Sequence, residues 1–224
     1  MAIRQYHFKL RYPNRYSKII QFLKPLKGNE WDCKAENFRK YKRGLYSRRN
    51  ELKSIIRQQL ERLQGDNCAF CGLSLKSRVT QIEHIAPKGK ILYPQFMFEP
   101  KNLILACSLC NGFDKKHTFN TIKTVNAIYN RCTFNIVHPY FDNPDDHLEY
   151  FLDPESNLAF IIQVREINGV KSSKGLQTVS LFELDSNEMT QERYKDALAA
   201  SQPVQPDFEK LIAEVKQREY VSKS

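Results

Sequence analysis

Residues 68–116 decide the fold. They open on Cys68-Ala69-Phe70-Cys71-Gly72 and pass through Ile82-Glu83-His84-Ile85-Ala86-Pro87-Lys88 and Asn102-Leu103-Ile104-Leu105-Ala106. They close on Cys107-Ser108-Leu109-Cys110-Asn111-Gly112-Phe113-Asp114-Lys115-Lys116. Two Cys-x-x-Cys knuckles therefore stand with 35 residues between Cys71 and Cys107. A knuckle lets two thiolates reach one ion from a tight turn, and two knuckles complete a closed tetrahedral zinc site. Gly72 and Gly112, each close after its knuckle, relieve crowding there. One such pair would read equally well as a redox couple. Two in one short segment point to structural zinc on Cys68, Cys71, Cys107 and Cys110. That site has no open position and would tie together a unit too small to be held by its own core. Cys33 and Cys132 read as ordinary buried thiols.

Between the knuckles, Glu83-His84 ends an apolar strand. Adjacent residues of a strand point in alternate directions, so the carboxylate can hold a hard cation while the imidazole faces a water. An imidazole with its ordinary pKa near 6.5 suits proton transfer at neutral pH. A lone Glu-His pair is usually just a solvated surface feature. Here the zinc clip brings Asn111 back toward the same strand, and the bland reading loses weight.

Outward from this segment the composition shifts. Residues 1–62 hold 17 Lys+Arg against 5 Asp+Glu, while the chain as a whole carries +10. All of the excess is N-terminal, which favours a polyanion partner, chiefly nucleic acid, through phosphate contacts and counterion release. Tyr6, Phe8, Tyr12 and Tyr16 lie among these cations, and packing against neighbouring helices is the preferred reading over stacking on bases. Leu52, Ile55, Ile56, Leu60 and Leu63 recur at helical spacing, with Gly65 as the stop. Asp32 is a candidate cap for a helix starting near residue 33. On the C-terminal side, residues 158–167 and 176–184 read as strands, with Asn168-Gly169 as a turn. Asp185-Ser186-Asn187 offers caps for a helix to about Ala200, and a last helix is expected over 207–221. The chain has no Gly-rich phosphate loop, so no nucleotide-hydrolysing site is expected in it. It has no apolar run of about 20 residues, so no membrane role is expected either. The first residues lack the apolar core of a signal peptide, which points to a cytoplasmic protein.

The order Cys-x-x-Cys, Glu83-His84-x-x-Pro87, Asn102-Leu103, Cys-x-x-Cys-Asn111 and a following Lys resembles the HNH endonuclease family, in its zinc-knuckle ββα-metal form. The resemblance covers about a quarter of the chain. It implies His84 as the general base, Glu83 as a metal-binding acid, and Asn102 as the residue that braces the loop and orients the base. It implies Asn111 as the second ligand of a catalytic Mg²⁺ or Mn²⁺, with His117 as the alternative. Lys88, Lys115 and Lys116, with Arg48 and Arg49 on the basic helix, are the candidates for nucleic-acid contacts. Farther on, His138-Pro139-Tyr140-Phe141-Asp142, His147-Leu148, Leu152-Asp153-Pro154, Gly175-Leu176-Gln177-Thr178-Val179 and Arg193 are similar to the PtuB-type HNH subunit of bacterial Septu and retron anti-phage systems. That narrower likeness implies an SMC- or ABC-like ATPase partner of the PtuA type.

The expected fold is α+β. A basic helical segment (1–64) precedes an HNH core with the four-cysteine zinc site (65–125), and a small α+β segment (126–224) offers partner docking. The expected activity is metal-dependent hydrolysis of phosphodiester bonds, with DNA favoured as the substrate. The alternatives are a ribonuclease cutting tRNA or other RNA, or a catalytically silent, zinc-stabilised nucleic-acid-binding module. A homing or restriction enzyme acting alone would need its own sequence reader, and no recognition helix or finger signature is present.

Overall fold

A computed structural model describes residues 3–23, 27–32, 34, 44–89, 91–111, 119–152 and 160–201. The fold is mixed α/β. Its centre is a hairpin of β1 (Thr80–His84) and β2 (Leu103–Cys107), antiparallel, with Thr80 opposite Cys107 and His84 opposite Leu103. Every residue of β2 is buried. Because side chains alternate along a strand, Leu103 and Leu105 enter one core and Ile104 and Ala106 another.

Two helices build the first of these cores. α1 (Asn14–Leu23) and α2 (Leu45–Gln64) pack Tyr16, Ile19 and Leu23 against Leu45, Leu52, Ile56 and Leu60, together with Trp31, Met97 and Phe98. The buried positions of α2 recur at helical spacing and include Leu52, Ile56 and Leu60 of the expected row, whereas Ile55 is half-buried and Leu63 is exposed, Arg49 and Gln64 being buried instead; each fully buried Leu or Ile contributes about 1.5–3 kcal/mol. Gly65 ends α2 with φ of +79°. Gln64, the last helical residue, turns its amide onto the free edge of β2: its Nε2 donates to Leu105 O at 2.8 Å, and its Oε1 accepts from Leu105 N at 2.7 Å. One side chain thus does for that edge what a third strand would do.

The second core mixes both ends of the chain. Ile3 and Tyr6 join Phe70, Leu73, Ile104 and the four cysteines. From the C-terminal side come Leu148, Ile162, Val179, Phe182, Leu184 and Met189. Tyr6, Phe8 and Tyr140 stack at centroid distances of 5.4, 6.0 and 5.3 Å, so these N-terminal aromatics pack internally. A third cluster of Ala86, Tyr93, Phe96, Ile122, Tyr129 and Phe134 gathers at the loop end of the β1–β2 hairpin. It includes the short pair β3 (Ile122–Thr124) and β4 (Thr133–Phe134).

Beyond these, β5 (Leu148–Leu152) pairs with β6 (Phe160–Val164), and β7 (Glu166–Ile167) with β8 (Val170–Lys171) through a turn at Asn168 and Gly169, both left-handed. Residues 176–184, expected as a strand, lie mostly in α3 (Ser173–Phe182). Ser172 caps it by accepting from Gly175 N. The buried set Gly175, Thr178, Val179 and Phe182 has helical spacing, so the alternation seen in the sequence was coincidental. A Cβ at Gly175 would stand 2.3 Å from the His147 carbonyl oxygen, so only glycine lets α3 come this close. α4 (Asn187–Ser201) starts at the expected cap, where Ser186 Oγ accepts from Met189 N. On it, Glu192 and Asp196 hold Arg78 at 2.6 and 2.8 Å, and Asp196 accepts from Ser74 N at 2.7 Å. This pins α4 to the loop that follows the first knuckle. The helix expected near residue 33 and the one over 207–221 lie outside the described residues.

Candidate metal centre and acid–histidine site

The first knuckle is a turn in which Gly72 N donates to Cys68 O at 2.9 Å, with Gly72 left-handed at φ of +74°. The second follows directly from β2, where Cys110 and Asn111 both donate to Cys107 O, at 3.1 and 3.0 Å. The first knuckle is held against the end of β2, where Ala69 N donates to Leu105 O at 3.2 Å and Cys107 N to Cys68 Sγ at 3.4 Å. Cys68, Cys71, Cys107 and Cys110 are all buried, and their sulfurs lie within 4.8 Å of one another. Sulfurs at the corners of a tetrahedron with metal bonds of about 2.3 Å stand about 3.8 Å apart. Cys71 Sγ and Cys107 Sγ are 3.7 Å apart.

The thiols also shift one another's titration. Hydrogen bonds from Cys110, then Cys68 and Cys71, push the Cys107 thiol far below its ordinary range. Its proximity raises Cys71 and Cys110 well above theirs, with burial adding to the effect. The four thiols therefore form a buried group that can hold a metal ion, compatible with zinc. Cys132 is buried as well, and it accepts from Asn126 N at 3.3 Å.

At the opposite end of β1, Glu83 and His84 sit on alternate faces, as adjacent strand residues must. His84 is 3% exposed. Its ring lies edge-on to Trp31 at 4.7 Å, and its Nε2 is 3.0 Å from Met97 O. A carbonyl oxygen only accepts, so Nε2 carries the proton of the neutral ring and the lone pair is on Nδ1. Glu83 is half-buried on the other face, which it shares with Gln81. Asn111 Nδ2 donates to Gln81 Oε1, leaving the Asn111 amide oxygen as that side chain's acceptor atom. Gln81 thus links Asn111 to the Glu83 face. Its place two residues before Glu83 is the sequence signal that could have marked it, and it was not among the expected residues.

Asn102 is fully buried behind the turn that follows His84. Its Oδ1 accepts from Ala86 N at 2.6 Å and from Tyr129 Oη at 2.8 Å. Its Nδ2 donates to Ala86 O at 3.1 Å and to Phe96 O at 2.9 Å. The backbone adds Ile85 N to Asn102 O at 2.9 Å.

The expected cations divide. Lys88 pairs with Asp32 at 2.7 Å, and Lys53 reaches the same carboxylate at 3.8 Å. Arg48 is exposed and lines a groove of about 510 Å³ between α1 and α2, with Arg15 and Lys18. Arg49, expected to contact nucleic acid, is 2% exposed, and its guanidinium is spent on the carbonyls of Glu30 and Trp31. The turn over 27–32 turns these acceptors inward, which the basic pattern of α2 could not reveal. Lys115, Lys116 and the alternative ligand His117 lie outside the described residues.

Comparison with known proteins finds relatives of the HNH type. The chain is 29% identical to "Septu protein PtuB" of Bacillus thuringiensis over 101 residues, covering 44% of this chain and 34% of that protein. A second "Septu protein PtuB", from Bacillus mycoides (strain KBAB4), is 26% identical over 159 residues, 63% of this chain and 50% of that one. The chain is similar to PtuB-type HNH proteins. Over 57 residues it is also 35% identical to "Retron Vc95 putative HNH endonuclease" of Vibrio cholerae serotype O1 biovar El Tor, covering 25% of this chain and 28% of that protein. The PtuB-like chain thus spans at most about half the length of the curated relatives it matches. No family model matches it. Among the described residues, no helix is long and apolar enough to cross a membrane.

Proposed function

We propose that this chain is a metal-dependent HNH endonuclease of the ββα-metal type, cutting phosphodiester bonds in nucleic acid, with DNA favoured. The observation that carries the reading is the orientation of His84. Its Nε2–H is given to the Met97 carbonyl, so the neutral ring offers Nδ1 as a base at the end of a rigid strand. A water losing its proton to Nδ1 becomes a nucleophile, and the Met97 carbonyl steadies the imidazolium that results. Glu83 and the Asn111 amide oxygen are a hard-oxygen pair that would hold Mg²⁺ or Mn²⁺, leaving most positions to water and phosphate. When bound, that ion supplies positive charge for the scissile phosphate and its leaving oxygen. Lys88 and Arg48 supply phosphate contacts at the surface. Zinc on the four cysteines has a structural role.

The similarity to Septu and retron proteins supports a role in anti-phage defence in a bacterial cytoplasm, in which the nuclease works with an ATPase subunit that carries the nucleotide site. The segment over 126–224 is the docking platform for that subunit. One observation favours a second reading. His84 lies under Trp31, so water reaches Nδ1 only if the turn over 27–32 yields or substrate displaces it. A silent, zinc-stabilised binding module would look the same at rest.

Wild-type chain and His84→Ala are incubated with plasmid DNA and total tRNA, with and without Mg²⁺ or Mn²⁺. Divalent-dependent cleavage by the wild type alone supports the nuclease, and the polymer lost chooses between DNA and RNA. Equal cleavage by both proteins removes His84 from the chemistry. Tight binding without cleavage, persisting when a co-purifying ATPase and nucleotide are added, selects the binding module.

A further inference from the structure

Behind the His84 turn runs a chain of hydrogen bonds whose direction is fixed at every step. Tyr140 N donates to His138 Nδ1 at 3.1 Å, so Nδ1 is the acceptor of that ring and the neutral form carries its proton on Nε2. His138 Nε2 lies 3.0 Å from Tyr129 Oη. The single proton of Tyr129 goes to Asn102 Oδ1 at 2.8 Å, so the oxygen accepts from His138. Asn102 Oδ1 receives Ala86 N as well, and its Nδ2 is left to hold the carbonyls of Ala86 and Phe96. Reversing any one bond would set two donors or two acceptors against each other.

The two carbonyls at the end of this chain belong to the turn that follows His84 and to the residue that precedes its acceptor. Ala86 lies two residues after His84, and Phe96 immediately precedes Met97, whose oxygen takes the His84 proton. One amide therefore ties the backbone just after His84 to the backbone just before Met97. His138 is held neutral by complete burial, with Lys174 and then Lys101 adding to the effect, and this is the form the directed chain needs. The rings around it are close-packed: Phe141 stacks on His138 at 4.2 Å, Phe134 lies at 4.3 Å, and Tyr129 meets Phe96 at 4.9 Å.

We infer that Tyr129 and His138 are positioning residues for the candidate nuclease site, acting through Asn102 to fix the tautomer and orientation of His84. The inference rests on the proposed role of His84 as the base. Neither residue touches the reacting atoms, and both lie well outside the motif that suggested the activity.

The test uses the full zinc-loaded chain with ¹⁵N-labelled histidine. Long-range ¹H–¹⁵N spectra read the tautomer of each ring without any substrate. In the wild type, His84 and His138 should each show a single Nε2–H form. Tyr129→Phe removes the hydroxyl and keeps the ring, and His138→Leu removes both nitrogens. Either should convert the His84 signal to mixed tautomers or broaden it, and lower kcat about tenfold or more with KM within about twofold, the usual scale for such supporting groups. His138→Gln keeps an N–H near the Nε2 position and should restore part of both. Phe134→Leu loosens the same ring cluster without touching the chain of bonds, and should lower Tm while leaving the His84 signal single. If Tyr129→Phe fails to fold, the His138 pair gives the same reading. A single, unchanged Nε2–H form of His84 in Tyr129→Phe or in His138→Leu overturns the inference, as does a Phe134→Leu change equal to theirs. Failure of the nuclease reading is a separate result: His84→Ala would cleave as the wild type does, whatever the tautomers show.

Discussion

Replacing Asn102 by Ala should be among the most damaging single changes in this protein. The side chain is fully buried and makes four hydrogen bonds, to Ala86 N, Ala86 O, Phe96 O and Tyr129 Oη. A buried hydrogen bond is worth about 1 kcal/mol net, and an orphaned buried backbone group costs about 1–3 kcal/mol. Alanine leaves Ala86 N, Ala86 O and the Tyr129 hydroxyl proton to find water in an apolar cluster, while Phe96 O keeps its bond from Glu99 N at 3.0 Å. A loss of about 4 kcal/mol follows, a large share of the roughly 5–15 kcal/mol that holds most domains folded. Asn102→Asp should cost nearly as much, because a carboxylate cannot donate to two carbonyls. Tyr129→Phe alone should cost about 1–3 kcal/mol by stranding His138 Nε2–H. In a double-mutant cycle the pair should couple by about 1 kcal/mol, since each removes the other's partner.

The assay is urea unfolding at saturating zinc, followed by the fluorescence of Trp31, the only tryptophan, which packs against His84. A loss below about 1 kcal/mol for Asn102→Ala, with an unchanged dependence on urea, would show that this amide is not the brace.

Three further outcomes are expected. Cys107→Ser should take bound zinc from one ion per chain to none by elemental analysis and should lower soluble yield; normal metal content and melting would refute the four-thiolate site. Asp32→Ala releases Lys88 and Lys53 from their shared carboxylate, so nucleic-acid binding should tighten. The slope of log affinity on log salt should steepen by about 0.9 for each phosphate gained, and identical salt slopes would sink this account of Lys88. For pH, His138 is neutral when folded, with its pKa depressed well below 6.5 by burial and then by Lys174 and Lys101, while Asp142 accepts from its backbone N–H. The unfolded chain binds the extra proton first as pH falls, so the stability gap between wild type and His138→Gln should shrink below about pH 6.5, by up to about 1.4 kcal/mol per pH unit. A gap constant from pH 7.5 to 5.5 would mean that His138 is not held neutral.

What the sequence made legible was local. The two knuckles announce themselves by spacing alone, because the reach of a tight turn sets it. α2 and α4 are legible from periodicity, from the glycine stop and from the Ser186 cap. Residues 176–184 misled because Leu176-Gln177-Thr178-Val179 alternates as well as it spirals; the decision lies in the approach of the His147 carbonyl to Gly175, which is a tertiary fact. Arg49 misled for the same kind of reason. On α2 it is one basic residue among several, and only the inward-turned carbonyls of Glu30 and Trp31 set it apart. Tyr129 carries no local signal, and His138 stands out only as part of the His138-Pro139 stretch, with nothing to tie it to Asn102; the two lie 27 and 36 positions from that residue. Gln81 is the exception that period-two reasoning could have reached, since it shares its face with Glu83.

A two-stranded hairpin with five-residue strands is marginal by itself in water. This one is fixed by three separate devices. The four thiols sit at the end where Thr80 faces Cys107, the Gln64 amide saturates the outer edge at Leu105, and Asn102 locks the end where His84 faces Leu103. Four residues at about 3.3 Å each put the cysteine end and the histidine end about 13 Å apart. An ion on the thiols is therefore too far from His84 to share its chemistry, and its influence on the base can only be mechanical, passed along the strand. The geometry at His84 depends instead on neutral hydrogen bonds supplied by residues far away in sequence. Losing the metal and losing the brace should consequently look different. Metal loss melts the large core that joins both ends of the chain, because the cysteines are part of it. Loss of the brace leaves that core packed and lets one imidazole turn.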